Sequence, residues 1–212
     1  AAIASGAKTV LKASHLPSPS IHPIDLIIDG IAGQCGVIPE DRVAVGEVVR
    51  SESVSSTLQN GTAKRILYRT QRSDGSYTFS SGLLYTPNSP KAGMPLFVWA
   101  HGTIGLADQC APSRQETIGS SWIDAILQRG WPVVATDYAG FGTAGTQGYL
   151  IGGSESHDVL NSVRAAHKLL GAQLNNQYAI WGHSQGGHSA LFSASVASSY
   201  LPEYSLVGTA AT

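Results

Sequence analysis

Charge is scarce in this chain. Of its 212 residues, 13% are Asp, Glu, Lys or Arg, and the formal net charge is -1 at pH 7. So balanced a sequence carries neither the basic footprint of a nucleic-acid binder nor a polybasic patch for anionic membranes. Long apolar runs are missing as well. No stretch of about 18 consecutive apolar residues occurs, so the sequence holds no transmembrane-helix candidate. Cysteine is nearly absent. Cys35 and Cys110 are too few for a disulfide scaffold, and count alone leaves open whether they form one bridge or stay two thiols. There is no His-x-x-x-His pair and no Cys/His cluster at ligand spacing, so neither a metal nor a cofactor is expected. The chain opens Ala1-Ala2-Ile3-Ala4-Ser5-Gly6, without a charged and then apolar leader. That start fits a secreted protein whose leader has been removed, and fits a cytosolic one equally. Low charge with abundant Ser, Thr and Gly leans toward secretion.

What is present points to one domain, or part of a larger one, with enough length for a sizeable core. Residues 1–41 read as an N-terminal arm, with a short helix over Ile24–Ile31. Residues 42–212 carry the regular structure. Arg42 to Ser56 alternates in part through Val43, Val45, Val48 and Val49, as a strand does. Ala63 to Arg72 and Tyr77 to Tyr85 flank Ser73-Asp74-Gly75-Ser76, and Asp-Gly between two strand-like runs predicts a hairpin. Beyond it the pattern changes. Pro95 to Ala100 and Trp131 to Thr136 are short continuous apolar runs, the signature of strands buried on both faces. Thr117 to Arg129 has a helical stripe of Ile118, Trp122, Ile123, Ile126 and Leu127, closed by Gly130. Ser154 to Leu170 reads as a second helix capped by Ser154, with Val159, Leu160, Val163, Ala166 and Leu170 facing inward. Ser205 to Ala210 reads as a further strand. Antiparallel opening strands followed by strand–helix alternation predict an α/β fold: a mostly parallel sheet with helices on both faces.

The chemistry concentrates at Gly182-His183-Ser184-Gln185-Gly186, which follows the apolar run Tyr178-Ala179-Ile180-Trp181 and precedes an Ala/Ser-rich helical segment. This is the G-x-S-x-G nucleophile elbow, a strand–turn–helix that exposes a serine hydroxyl above a sheet. The duller alternative is a strand–turn–helix connection with a capping serine. Ser184 is the candidate nucleophile. A serine so used needs a base, a group to orient that base, and donors for the oxyanion. One donor in such a fold is the backbone N–H after the nucleophile, here Gln185; the other comes from the loop after an earlier strand. His101-Gly102-Thr103 stands directly after the apolar strand, and Thr103 is assigned as the second donor. His101 is read as a tether and not the base, and Asp137 as an organiser of its loop. His183 is expected to bury its side chain beneath the elbow. Tyr138, Phe141 and Tyr149 are candidates for one wall of a substrate pocket, and each is equally a candidate for the core.

Four stretches in order carry a resemblance. They are Trp99 to Ser113, Asp137 to Thr143, Gly148 to Glu155 and Gly182 to Gly187. Together they resemble the secretory lipase family, α/β-hydrolases of the Candida antarctica lipase A type, over about residues 42–212. The resemblance implies the N-terminal part of an α/β-hydrolase fold, secretion, hydrolysis of ester or acylglycerol substrates, and a Cys35–Cys110 bridge. In that fold the acid and then the histidine follow the serine. Here the only acidic residue after Ser184 is Glu203 and the only histidine is His188, one turn along the elbow helix. Neither suits the role. The expectation is therefore that a lid, the triad acid and the histidine come from a second segment, continuous in the gene and separated by cleavage near Thr212. Acyl transfer or peptide hydrolysis on the same elbow, and a non-catalytic binding module that keeps the fold, are the other readings.

Overall fold

A computed structural model describes residues 43–115 and 118–212. The expected N-terminal arm, its helix over Ile24–Ile31, and Cys35 all lie outside the described residues. The strands are β1 (Val48–Val54), β2 (Gly61–Gln71), β3 (Tyr77–Pro87), β4 (Met94–Ala100), β5 (Val133–Thr136), β6 (Leu174–Gly182) and β7 (Ser205–Ala211); the helices are α1 (Ser121–Gln128), α2 (Gly152–Leu170) and α3 (Gln185–Tyr200).

The opening strands pair antiparallel, as expected. Glycine, aspartate and serine build the β2–β3 turn: Gly75 adopts a φ of 87°, and the Asp74 carboxylate accepts from both the N–H and the hydroxyl of Ser76. The strand read over Arg42 to Ser56 is shorter in the fold. Gly46 turns the chain at a φ of 78°, its N–H donating to the Arg69 carbonyl, and regular pairing starts only at Val48. All seven strands join one sheet in the order β1-β2-β3-β5-β4-β6-β7. β5 pairs antiparallel with β3 and parallel with β4, and the β4–β6 and β6–β7 pairs are parallel.

The two apolar runs become the central strands. Every residue of β5 is buried, while β4 buries Leu96, Val98 and Ala100 on one face and half-buries Phe97 and Trp99 on the other. Helices α2 and α3 cover the first face, packing Val159, Leu160, Val163, Ala190 and Ala197 against Tyr68, Leu96, Val98, Tyr178 and Ile180. Helix α1 covers the other with Ile123 and Leu127, beside Trp99, Trp122 and Trp181 in mutual ring contact.

Two helix starts differ from the reading of the sequence. Helix α1 begins at Ser121, because Gly119 sits at a φ of 108° and Ser120 caps, its hydroxyl accepting from the Ile123 N–H. Ile118 lies before the helix, and its carbonyl accepts the Thr57 N–H. Helix α2 begins at Gly152, and Ser154 is not its cap. The Ser154 hydroxyl instead accepts from the Ser73 N–H at 3.1 Å, tying the β2–β3 turn to the helix. The N-terminal half of α2 also buries Glu155, Asp158 and Asn161, which a helical apolar stripe does not announce.

Candidate active site

Strand β6 stops at Gly182 and α3 starts at Gln185, so the reversal is compressed into His183 and Ser184. Ser184 takes a φ of 55° with a ψ of -117°, a conformation that side-chain-bearing residues rarely adopt. The flanking glycines follow from the closeness of that turn. A Cβ on Gly182 would overlap the Gly186 carbonyl oxygen, and one on Gly186 would overlap the carbonyl oxygen of Ala100 on the neighbouring strand. The spacing G-x-S-x-G is thus a steric requirement of the turn. Ser184 is exposed, at the N-terminus of a 16-residue helix whose dipole favours negative charge there.

Parallel register brings the second loop to the same place. Ala100 pairs with Gly182, so His101 and Gly102 leave the sheet beside the elbow. A Cβ on Gly102 would come within 3.4 Å of the Ser184 Cβ and 3.0 Å of the His183 carbonyl oxygen, an approach that suits glycine. His101 is buried between Tyr138 and Phe141. Its Nδ1 lies 2.7 Å from the Gly102 carbonyl oxygen and its Nε2 3.3 Å from that of Asp137, so the ring ties two loops together. Next along the chain, the Thr103 hydroxyl meets the Tyr149 hydroxyl at 2.9 Å.

The three candidate wall residues separate. Tyr149 is 40% exposed, beside Leu150 at 47% and Ile151 at 50%. Tyr138 and Phe141 are buried in the interior and offer no surface to a ligand. Tyr138 is held at a φ of 69°, its hydroxyl donating to the His101 carbonyl. Asp137 organises its loop, accepting the Ser113 N–H at 2.9 Å and the Ser81 hydroxyl at 2.6 Å. Burial pushes its carboxyl up from the usual carboxylate range, against the pull of these hydrogen bonds.

Among the described residues, the other histidines and the late carboxylate are engaged elsewhere. His188 Nδ1 faces Glu155 Oε2 at 2.9 Å, His157 Nδ1 faces the Gln71 carbonyl at 3.0 Å, and His167 stacks on Tyr204. His183, expected beneath the elbow, is exposed, with Nδ1 3.4 Å from the Thr212 hydroxyl. The inward position there belongs to Gln185 instead. Glu203 pairs with Arg164.

Sequence reading missed Glu155. It is buried, and its carboxylate takes the Leu150 N–H at 2.9 Å, the Gln185 side-chain amide at 2.7 Å and the Ser189 hydroxyl at 2.7 Å, in addition to facing His188. The available signal was an acidic residue in the first turn of a helix, which is ordinary at a surface. Only the packing of α2 on α3 turns it inward. Among the described residues, no three His, Cys, Asp or Glu side chains gather as a metal site, and no helix is long and apolar enough to cross a membrane.

With this geometry in view, residues 113–212 match the family model described as secretory lipase. Among curated proteins, the chain is 25% identical over 181 residues to lipase A of Moesziomyces aphidis and 30% identical over 186 residues to secreted triacylglycerol lipase LIP7 of Malassezia globosa. Each match covers 78% of this chain and 38% of the relative, so the chain spans under two fifths of those proteins' length. Among solved structures, Candida antarctica lipase A superposes with a TM-score of 0.71 at 23% identity, covering 81% of this chain and 43% of that one. The rice cell wall degrading esterase LipA of Xanthomonas oryzae superposes with a TM-score of 0.69 at 24% identity, covering 79% and 50%. The fold is that of the α/β-hydrolases.

Proposed function

We propose that this chain, which belongs to the secretory lipase family, is the N-terminal portion of a single hydrolase domain that cleaves carboxylic esters through Ser184. The observation that carries the reading is Ser184 itself. It is exposed at a φ of 55°, at the N-terminus of α3, with the Gly102 backbone directly beside it. In the mechanism, the Ser184 hydroxyl attacks the ester carbonyl carbon as a base takes its proton. The tetrahedral oxyanion is held by the backbone N–H groups of Gln185 and Thr103. Collapse expels the alcohol and leaves an acyl-enzyme on Ser184, which water then hydrolyses. Removing one oxyanion donor typically costs on the order of 10²–10³ in rate.

The base and its acid come, in this reading, from a second segment and not from residues 1–212. His101, His157 and His188 are each bonded elsewhere, and Glu203 is paired with Arg164. Tyr149, with its exposed ring beside Thr103, lines the substrate side. The ester class follows from the family and from relatives named as lipases, and secretion from the family's description and from the relative named as a secreted lipase.

A fluorophosphonate tests the serine assignment. Tryptic mapping of the labelled protein should place the adduct on Ser184, and Ser184→Ala should lose hydrolysis of a p-nitrophenyl ester while staying folded. Unchanged turnover by Ser184→Ala sinks the assignment.

A further inference from the structure

We propose that Glu155 is the positioning residue of the oxyanion site, setting its two halves in register from beneath. The inference rests on the serine reading above and names a residue outside it. Glu155 is only 1% exposed, yet it is bonded on both carboxylate oxygens. Oε1 accepts the Leu150 N–H at 2.9 Å and the Gln185 side-chain amide at 2.7 Å; Oε2 accepts the Ser189 hydroxyl at 2.7 Å and lies 2.9 Å from His188 Nδ1. The Leu150 N–H can only donate, and the Gln185 amide turns its NH2 to the same oxygen. A carboxylate accepts on both oxygens, whereas an amide accepts on one side only and must reverse the Ser189 bond to keep the other.

The two partners on Oε1 each lead to the reacting centre by a short route. Gln185 follows the nucleophile, and its backbone N–H is one oxyanion donor. Clamping its side chain fixes the peptide plane between Ser184 and Gln185, where the chain leaves a strained φ of 55° to enter the helix. Leu150 adopts a φ of 57°, and its N–H bond to Glu155 holds that bend. The bend presents Tyr149, whose hydroxyl meets Thr103, the residue that carries the other donor, at 2.9 Å. One buried carboxylate so joins the elbow helix to the loop that braces the second donor. Displacing catalytic groups by about 1 Å can cost on the order of 100-fold in rate.

The test uses the product of the complete gene. Its variants are Glu155→Gln and Gln185→Met, the second keeping the backbone N–H while cutting the same tie from the other end. The readouts are kcat and KM for p-nitrophenyl butyrate, the fluorophosphonate labelling rate at Ser184, and Tm. Glu155→Gln should lower kcat by about 10- to 100-fold with KM within about twofold, and should slow labelling in parallel. Gln185→Met should reproduce part of this loss, and the double variant should lose less than the product of the two single effects. A folded Glu155→Gln protein with kcat within about twofold of wild type overturns the proposal, as do two single effects that multiply independently. If Glu155→Gln does not fold, Gln185→Met decides alone, and wild-type kcat in that variant overturns the proposal. A wild type that is not labelled at Ser184 brings down the serine reading and this inference with it. A labelled wild type with an indifferent Glu155→Gln brings down the inference alone.

Discussion

At Gly186 the reason for glycine is another strand. Its missing Cβ would fall on the Ala100 carbonyl oxygen of β4, a backbone atom that cannot rotate aside. Gly75 in the hairpin turn is different: its φ is 87°, but nothing lies within 4 Å of where a Cβ would be. Two substitutions of the same kind should therefore behave differently. Gly186→Ala must push β4 and α3 apart, with an expected loss of about 3 kcal/mol and of ester hydrolysis. Gly75→Ala carries only the left-handed backbone penalty, about 1–2 kcal/mol, with activity retained. Urea denaturation of both variants, with a turnover assay beside it, checks the pair. Equal losses of stability and activity would contradict the steric account.

Helix α2 joins structure to chemistry because its first turns bury polar groups against the sheet. Asp158 accepts the Ala139 N–H and the Thr70 hydroxyl, each at 2.9 Å. Burial pushes its carboxyl up to about 7, with these hydrogen bonds pulling the other way. The folded-state value thus lies above the ordinary 3.8. Between roughly pH 4 and 7 the folded protein holds a proton that the unfolded chain releases, so this group's contribution to stability falls as pH rises through that window and levels off above it. The slope from one such group is at most about 1.4 kcal/mol per pH unit. Asp158→Asn removes the titration. The wild type should lose Tm relative to this variant between pH 5 and pH 8, measured by thermal melts in matched buffers. A constant difference between the two across that range would refute the assignment.

On the scale of the whole molecule, the sheet sets the elbow and the His101 loop side by side, while two features are proposed that depend on residues other than those the structure describes. The first is the Cys35–Cys110 bridge. It would close a long loop and, on the chain-entropy account, stabilise the fold by roughly 4 kcal/mol. Ellman titration of the denatured, unreduced protein should find no free thiol; two thiols contradict the bridge. The second is the base for Ser184. Residues 1–212 prepared alone and verified by mass should hydrolyse p-nitrophenyl esters far more slowly than the product of the complete gene. An ordinary enzymatic rate from residues 1–212 would defeat the proposal that the base lies elsewhere.

Much of this was legible in the order of residues. Apolar runs of strand length, the Asp74-Gly75 turn and the glycines around Ser184 are local signals, because the backbone conformations they require are decided within a few residues. Together with the helical stripes and the Ala/Ser-rich run after Ser184, they located β1 to β7 and α1 to α3, with starts displaced where Gly46, Gly119 and Ser120 redirect the chain, but not the short 3-10 turns such as Asp108–Cys110. The sheet order could not be read so, since β5 slips between β3 and β4 through pairings remote in sequence. Nor could the fates of Tyr138, Phe141 and Tyr149, three aromatics alike in the sequence. Two were buried and one exposed by the packing of loops around His101. Glu155 shows the same division most sharply. Its position in a first helical turn is local, whereas its four contacts come from Leu150 and from the start of α3, more than thirty residues on for Ser189. Only the docking of α2 on α3 brings Gln185, His188 and Ser189 to that carboxylate, because burial and partnership are properties of the assembled layers and not of any segment alone.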